Sequence, residues 1–274
     1  MASINLFGKV LQQIGGVQPQ ADPALRQEVA RLRGAYLELI KDCIIGRIYE
    51  DKPIMGDAGF RPELREEGLD WPSQAHSMIG NKRMINVWQV CEDVIVKGVP
   101  GDFIETGVWR GGACIFMRAI LKTYGLTDRT VWVADSFEGL PPPNKEKYPQ
   151  DSDSLLHKVK PLAASLEEVQ KNFRNYGLLD DQVKFLKGWF KDTLPAAPIE
   201  RLAVLRLDGD MYESTMDALR ALYHKLSPGG YLIVDDFAVP YCNKAVRDFR
   251  EQYGVDEIMR PIDQSAVFWE KRLA

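Results

Sequence analysis

The chain has 274 residues, is 45% hydrophobic, and sets 35 Lys and Arg against 39 Asp and Glu, for a formal net charge of −4. That is enough apolar material for a large core in one α/β domain with extra helices, and it lacks the basic field that draws a polyanion, so nucleic acid is not an expected partner. Cys43, Cys91, Cys114 and Cys242 are scattered, Met1 to Gly16 has no basic leader, and no apolar run approaches the ~18 residues of a membrane span; a cytoplasmic protein off the membrane is expected.

Asp22 followed by Pro23 joins a capping side chain to a proline at the first helical position, so a helix should start there. Leu25, Val29, Leu32, Tyr36, Leu39, Ile40, Cys43 and Ile44 then recur at helical spacing and give one apolar face. From Tyr49 to Pro72, Pro, Gly and charge are mixed, which predicts irregular structure, a lid or a linker. A second helix is expected over about Lys82 to Lys97.

At Gly98 the texture changes. DFIET, TVWVAD, QVKFLKG, LAVLRLD and GYLIVDD are short β-branched or aromatic runs, separated by helical stretches at 113–124, 166–176 and 214–226. Such alternation predicts a parallel sheet covered on both faces, and the run from Cys114 to Leu121, apolar almost all round, suits a helix pressed on that sheet. Pro141 to Pro161 is too long for an ordinary connection, so it is expected to be a mobile lid. Ser214 and Asp217 resemble a capping box, Pro228, Gly229 and Gly230 should stop the helix before GYLIVDD, and strands near Glu257 to Met259 and in SAVFWEK close the chain.

Ligands of an open α/β sheet bind beyond the carboxyl ends of its strands. Those ends read Glu105, Thr106 and Gly107; Asp135; Gly188 and Trp189; Asp208 and Asp210; Asp235 and Asp236. ETGVWRGG departs from GxGxxG, with Val, Trp and Arg where a pyrophosphate needs close backbone approach, which disfavours a nicotinamide cofactor. Asp135 either accepts hydrogen bonds from the ribose hydroxyls of an adenosine or caps SFEGL, and Trp189 or Phe190 either stacks on the adenine or is core. Asp208, Asp235 and Asp236 should end neighbouring strands. Convergent carboxylates need compensation, and Mg²⁺ with oxygen ligands supplies it; the plainer alternative is turn and cap chemistry.

Taken together, ETGVWRGG, DSFEGLP, RLDGDMYEST, PGGYLIVDDF and IDQSAVFW resemble the macrocin O-methyltransferase family, over about Met78 to Trp269. Members of that family methylate sugar hydroxyls on macrolide and aminocoumarin antibiotics. The resemblance implies an α/β, Rossmann-like class I methyltransferase, with a mostly parallel seven-stranded sheet flanked by helices. Residues 1–81 would be N-terminal helices and lid, and 82–274 the methyltransferase domain. It implies S-adenosylmethionine held by Glu105, Thr106, Gly107, Asp135, Ser136, Gly188 and Trp189, with Met78 and Gly80 of SMIGNKR closing over it. Magnesium would be held by Asp208, Asp235 and Asp236.

An acid of the DGD motif would accept the proton, Asp208 slightly ahead of Asp210; the lysine of catechol methyltransferases has no counterpart, since Met211 and Tyr212 follow the motif. The implied partner is a small-molecule hydroxyl acceptor, a glycoside or other diol, because two adjacent oxygens can chelate Mg²⁺. A homodimer through the N-terminal helix is expected by analogy. A non-catalytic nucleoside-binding module and a catechol-type methyltransferase are the competing readings.

Overall fold

The computed structural model describes residues 22–56 and 59–272; the stretch from Met1 to Gly16 lies outside them. Asp22 caps the first helix, α1 (Pro23–Ile44), by accepting the Ala24 amide at 3.0 Å. The segment expected to be irregular contains a short helix, α2 (Pro62–Glu67), and a single antiparallel bridge between Pro53 and Pro72. Arg65 is the reason for this order. Fully buried, it donates to both oxygens of Asp70 (2.9 and 2.7 Å) and to the Asp51 carbonyl (2.7 Å), so the charged composition is turned inward. Helix α3 (Gly80–Val96) follows.

From there strands and helices alternate as β1 (Asp102–Thr106), α4 (Gly112–Thr123), β2 (Val131–Asp135), α5 (Leu166–Asn175), β3 (Val183–Lys187), α6 (Phe190–Thr193), β4 (Leu202–Leu207), α7 (Tyr212–Leu222), β5 (Leu226–Val234), α8 (Pro240–Tyr253), β6 (Arg260–Pro261) and β7 (Val267–Glu270). The seven strands form one sheet in the order β3-β2-β1-β4-β5-β7-β6, in which β7 alone runs antiparallel to its neighbours. This is the expected class I methyltransferase arrangement. Alternate strand residues enter two cores: Phe103, Val131, Val133 and Val204 pack with α1, α3, α4 and α5, while Ile104, Ala134, Leu205 and Leu232 pack with α7 and α8. Both faces are therefore covered, as near-continuous apolar strands require. Among the described residues no helix is long and apolar enough to cross a membrane.

Two boundaries differ from expectation. Helix α7 starts at Tyr212, so Ser214 and Asp217 lie inside it and form no capping box; the Tyr212 and Glu213 amides are accepted instead by Asp151, at 2.7 and 2.9 Å. Pro228, Gly229 and Gly230 lie within β5, where the register jumps from Leu202↔Leu226 to Val204↔Tyr231. The helix has ended earlier, at Leu222, followed by a turn of 3₁₀ helix.

Asp151 also changes the reading of the stretch 141–161. It is fully buried, with Tyr148 and Ser154 buried beside it, so the middle of the supposed lid is anchored to α7. Removing both acceptor oxygens leaves two helix-terminal amides unpaired; Asp151→Ala is expected to lower stability by about 2 kcal/mol and to expose 141–161 to protease. An unchanged denaturation midpoint would show that those amides find other acceptors.

Candidate active site

Parallel register brings the strand ends level. Thr106 pairs with Leu207 and Leu207 with Val234, so the next residues, Gly107, Asp208 and Asp235, meet at one edge of the sheet. The approach is close: a Cβ on Gly107, whose φ is +86°, would lie 1.7 Å from the Asp208 carbonyl oxygen. Above this edge is an open cavity of about 450 Å³. Met78, Gly107, Asp135, Ser136, Gly188, Trp189, Asp208, Asp210, Asp235 and Asp236 line it.

Gly80, Glu105 and Thr106 do not line it. A Cβ on Gly80 would sit 2.3 Å from the Gly68 nitrogen, so its small size serves the packing of α3 against the end of α2. Glu105 and Thr106 are buried, the former paired with Arg206 and accepting from the Cys114 thiol at 3.1 Å.

Asp135 takes the capping role weighed for it. It accepts the amides of Phe137 (2.8 Å) and Val108 (2.7 Å), bracing SFEGL and the β1–α4 turn, and it still faces the cavity. Burial raises its pKa, and those amides offset the rise only in part. The bulky residues of that turn also have tasks. Trp109 donates to the Pro161 carbonyl at 2.8 Å, and Arg110 reaches the carbonyls of Ser73 (3.1 Å) and Ala75 (3.0 Å), so the turn ties down segments from both sides of the cavity.

The acids converge. One carboxylate oxygen from each of Asp208, Asp235 and Asp236 lies within 4.8 Å of the others. Two arginines that the sequence reading missed stand among them. Arg206, fully buried in β4, pairs with Glu105, with Asp208 at 2.7 Å and with Asp235; Arg83 of α3 pairs with Asp235 and, at 2.9 Å, with Asp263. An arginine inside the apolar run LAVLRL was a signal in itself, because a buried guanidinium demands anionic partners. Counting Glu105, Asp208, Asp210, Asp235, Asp236 and Asp263 against Arg83 and Arg206, carboxyl groups outnumber guanidiniums by four.

That excess shows in the titration. Burial, then Asp235, pushes Asp208 up to about 6; burial, then Asp208 and Asp235, pushes Asp210 up to about 7. Burial followed by Asp210, Asp208 and Asp235 pushes Asp236 well up. Hard oxygen donors, crowded together and short of positive charge, fit a divalent cation. Asp210 itself has φ +57°, an uncommon backbone conformation for aspartate. Its amide donates to Asp236 Oδ2 at 2.9 Å, and its carboxylate accepts no hydrogen bond among the described residues.

The profile of a family described as Macrocin-O-methyltransferase (TylF) matches residues 50–271. The chain is 52% identical over 243 residues to demethyldecarbamoylnovobiocin O-methyltransferase of Streptomyces niveus, covering 86% of this chain and 93% of that protein. It is 50% identical over 243 residues to mycinamicin III 3''-O-methyltransferase of Micromonospora griseorubida, covering 86% and 96%. Among solved structures it resembles the O-methyltransferase NovP, with a TM-score of 0.85 and 51% identity over 88% of this chain and 100% of that one.

Proposed function

The chain belongs to the macrocin O-methyltransferase family of S-adenosylmethionine-dependent enzymes, and from that premise we propose that it methylates a hydroxyl of a sugar or other vicinal diol with the help of Mg²⁺. The observation that carries the reading is the approach of Asp208, Asp235 and Asp236 to within 4.8 Å beside the cavity. These three would hold the cation, which, when bound, supplies a Lewis acid that lowers the pKa of the acceptor hydroxyl.

The donor takes the part of the cavity lined by Gly107, Asp135 and Trp189, with Asp135 presenting oxygens to ribose hydroxyls. Asp210, rather than Asp208, takes the hydroxyl proton. Asp208 is already engaged by Arg206, whereas Asp210 is unpaired and lines the cavity, within reach of an acceptor hydroxyl held there. The described residues up to 81 form the cover of a methyltransferase domain that begins at 82. A homodimer would form through the exposed Leu25, Leu32 and Leu39, seven residues apart on α1.

The sign of the pH dependence is fixed by the raised acids. In the folded, metal-free protein Asp208 and Asp210 hold protons to about 6 and about 7, above their unfolded values, so stability is lost as pH rises through that window. A cation cancels this loss only where the acids are ionised. Mg²⁺ is therefore expected to raise Tm strongly near pH 8, by the equivalent of about 2.7 kcal/mol at 100 times its Kd, and little near pH 5, while a chelator stops S-adenosylhomocysteine production. Equal shifts at both pH values, or turnover indifferent to the chelator, would remove the metal from the mechanism.

A further inference from the structure

Glu213 lies in the first turn of α7, is 8% exposed, and lines the cavity together with Asp210 and Ser214. An acid at a helix start is ordinarily explained by the free amides there, which favour negative charge. Here Asp151 has taken those amides, at Tyr212 and at Glu213 itself. Among the described residues the Glu213 carboxylate accepts no hydrogen bond and has no ion-pair partner. Lys147, whose charge reaches it, sits over the Tyr148 ring at 4.9 Å from the centroid. Asp217, one turn on and lining the same cavity, adds a second negative charge rather than relieving the first.

A carboxylate walled in this way can be served by water until a ligand displaces it, and then the ligand must donate the hydrogen bond. Resting on the methyltransferase reading above, we infer that Glu213 is an acceptor-recognition residue, which takes a hydrogen bond from a free acceptor hydroxyl other than the one methylated. An acceptor that lacks this hydroxyl, or carries it alkylated or acylated, leaves the buried carboxylate unpaired and is rejected. Methyl transfer then precedes any reaction that caps that hydroxyl.

The test uses the full-length enzyme with S-adenosylmethionine, Mg²⁺, and demethyldecarbamoylnovobiocin or mycinamicin III as acceptor, read by S-adenosylhomocysteine release. No release from the wild type with either glycoside overturns the sugar-methylation reading, and this inference with it. On a glycoside that is turned over, Glu213→Met, which keeps the length of the side chain but has no acceptor oxygen, is expected to raise the acceptor KM about 10- to 100-fold. Its kcat and the KM for S-adenosylmethionine should stay within about threefold, since the contact is alike in ground and transition states. An unchanged acceptor KM overturns the inference alone.

A second arm does not depend on that variant's folding. The wild type and Glu213→Asp are compared on monodeoxy and mono-O-methyl derivatives of the accepted sugar. One position other than the methylated one should lose at least about 10-fold in kcat/KM in the wild type and distinctly less in Glu213→Asp, whose shorter side chain has already lost the contact. Losses equal in the two proteins at every position overturn the inference.

Discussion

Asp236→Asn is expected to cut turnover by at least about 10³-fold while S-adenosylhomocysteine binds nearly as well as in the wild type. The two effects separate because the proposed donor and cation sites lie at different strand ends: Gly107, Asp135 and Trp189 are at the ends of β1, β2 and β3, whereas Asp208, Asp235 and Asp236 are at the ends of β4 and β5. The fold should survive, since the amide oxygen can still accept the Asp210 amide that Asp236 Oδ2 accepts at 2.9 Å. Stability should even rise. Asp236 has its pKa raised well above the ordinary carboxylate range by burial and by Asp210, Asp208 and Asp235, so the metal-free wild type loses stability through this group as pH rises above that ordinary range and the neutral amide does not. Calorimetry with S-adenosylhomocysteine, turnover, and thermal unfolding with and without Mg²⁺ measure the three consequences. A variant that still methylates at the wild-type rate, or still gains Tm from Mg²⁺ as before, would refute the metal assignment.

The strand-end acids were legible in the sequence because alternating strands and helices force every parallel strand to end on the same edge, and an edge residue is named by where its apolar run stops. Asp135, Asp208 and Asp235 each follow such a run directly. The start of α1 was legible for a similar reason, Asp22 being two residues from the amide it accepts, with Pro23 between them. Legibility failed where the same physical need is met from far away. The amides of α7 are served by Asp151, 61 and 62 residues earlier, so a local Ser and Asp at plausible spacing drew the capping assignment instead. The ion-pair network was hidden likewise: Arg206 meets Glu105 across 101 residues, and Arg83 meets Asp235 across 152. The Pro-Gly-Gly of β5 misled in the opposite direction. Those residues usually break structure, yet here they take up a register shift inside a strand.

Arg206→Met is expected to destabilise the protein by about 3–5 kcal/mol, the largest stability change of any substitution considered. The side chain is fully buried and touches Glu105, Asp208 and Asp235 at once, the first and third almost fully buried themselves. A methionine fills similar space but leaves Glu105 and Asp208 without their cation and Asp235 with Arg83 alone. The penalty should depend on pH in a definite direction. Glu105, pushed up to about 7 chiefly by burial, and Asp208, pushed up to about 6, are already reluctant to ionise beside Arg206; without it their pKa values rise further. The variant should therefore lose more stability than the wild type between about pH 5 and about pH 8, where these acids give up their protons. Mg²⁺ should recover more stability in the variant than in the wild type, because the cation enters a site with one positive charge fewer. Urea denaturation at both pH values, with and without Mg²⁺, reads all of this. A midpoint close to that of the wild type near pH 8 would mean that Arg206 does not hold the acids together, and that their convergence has another cause.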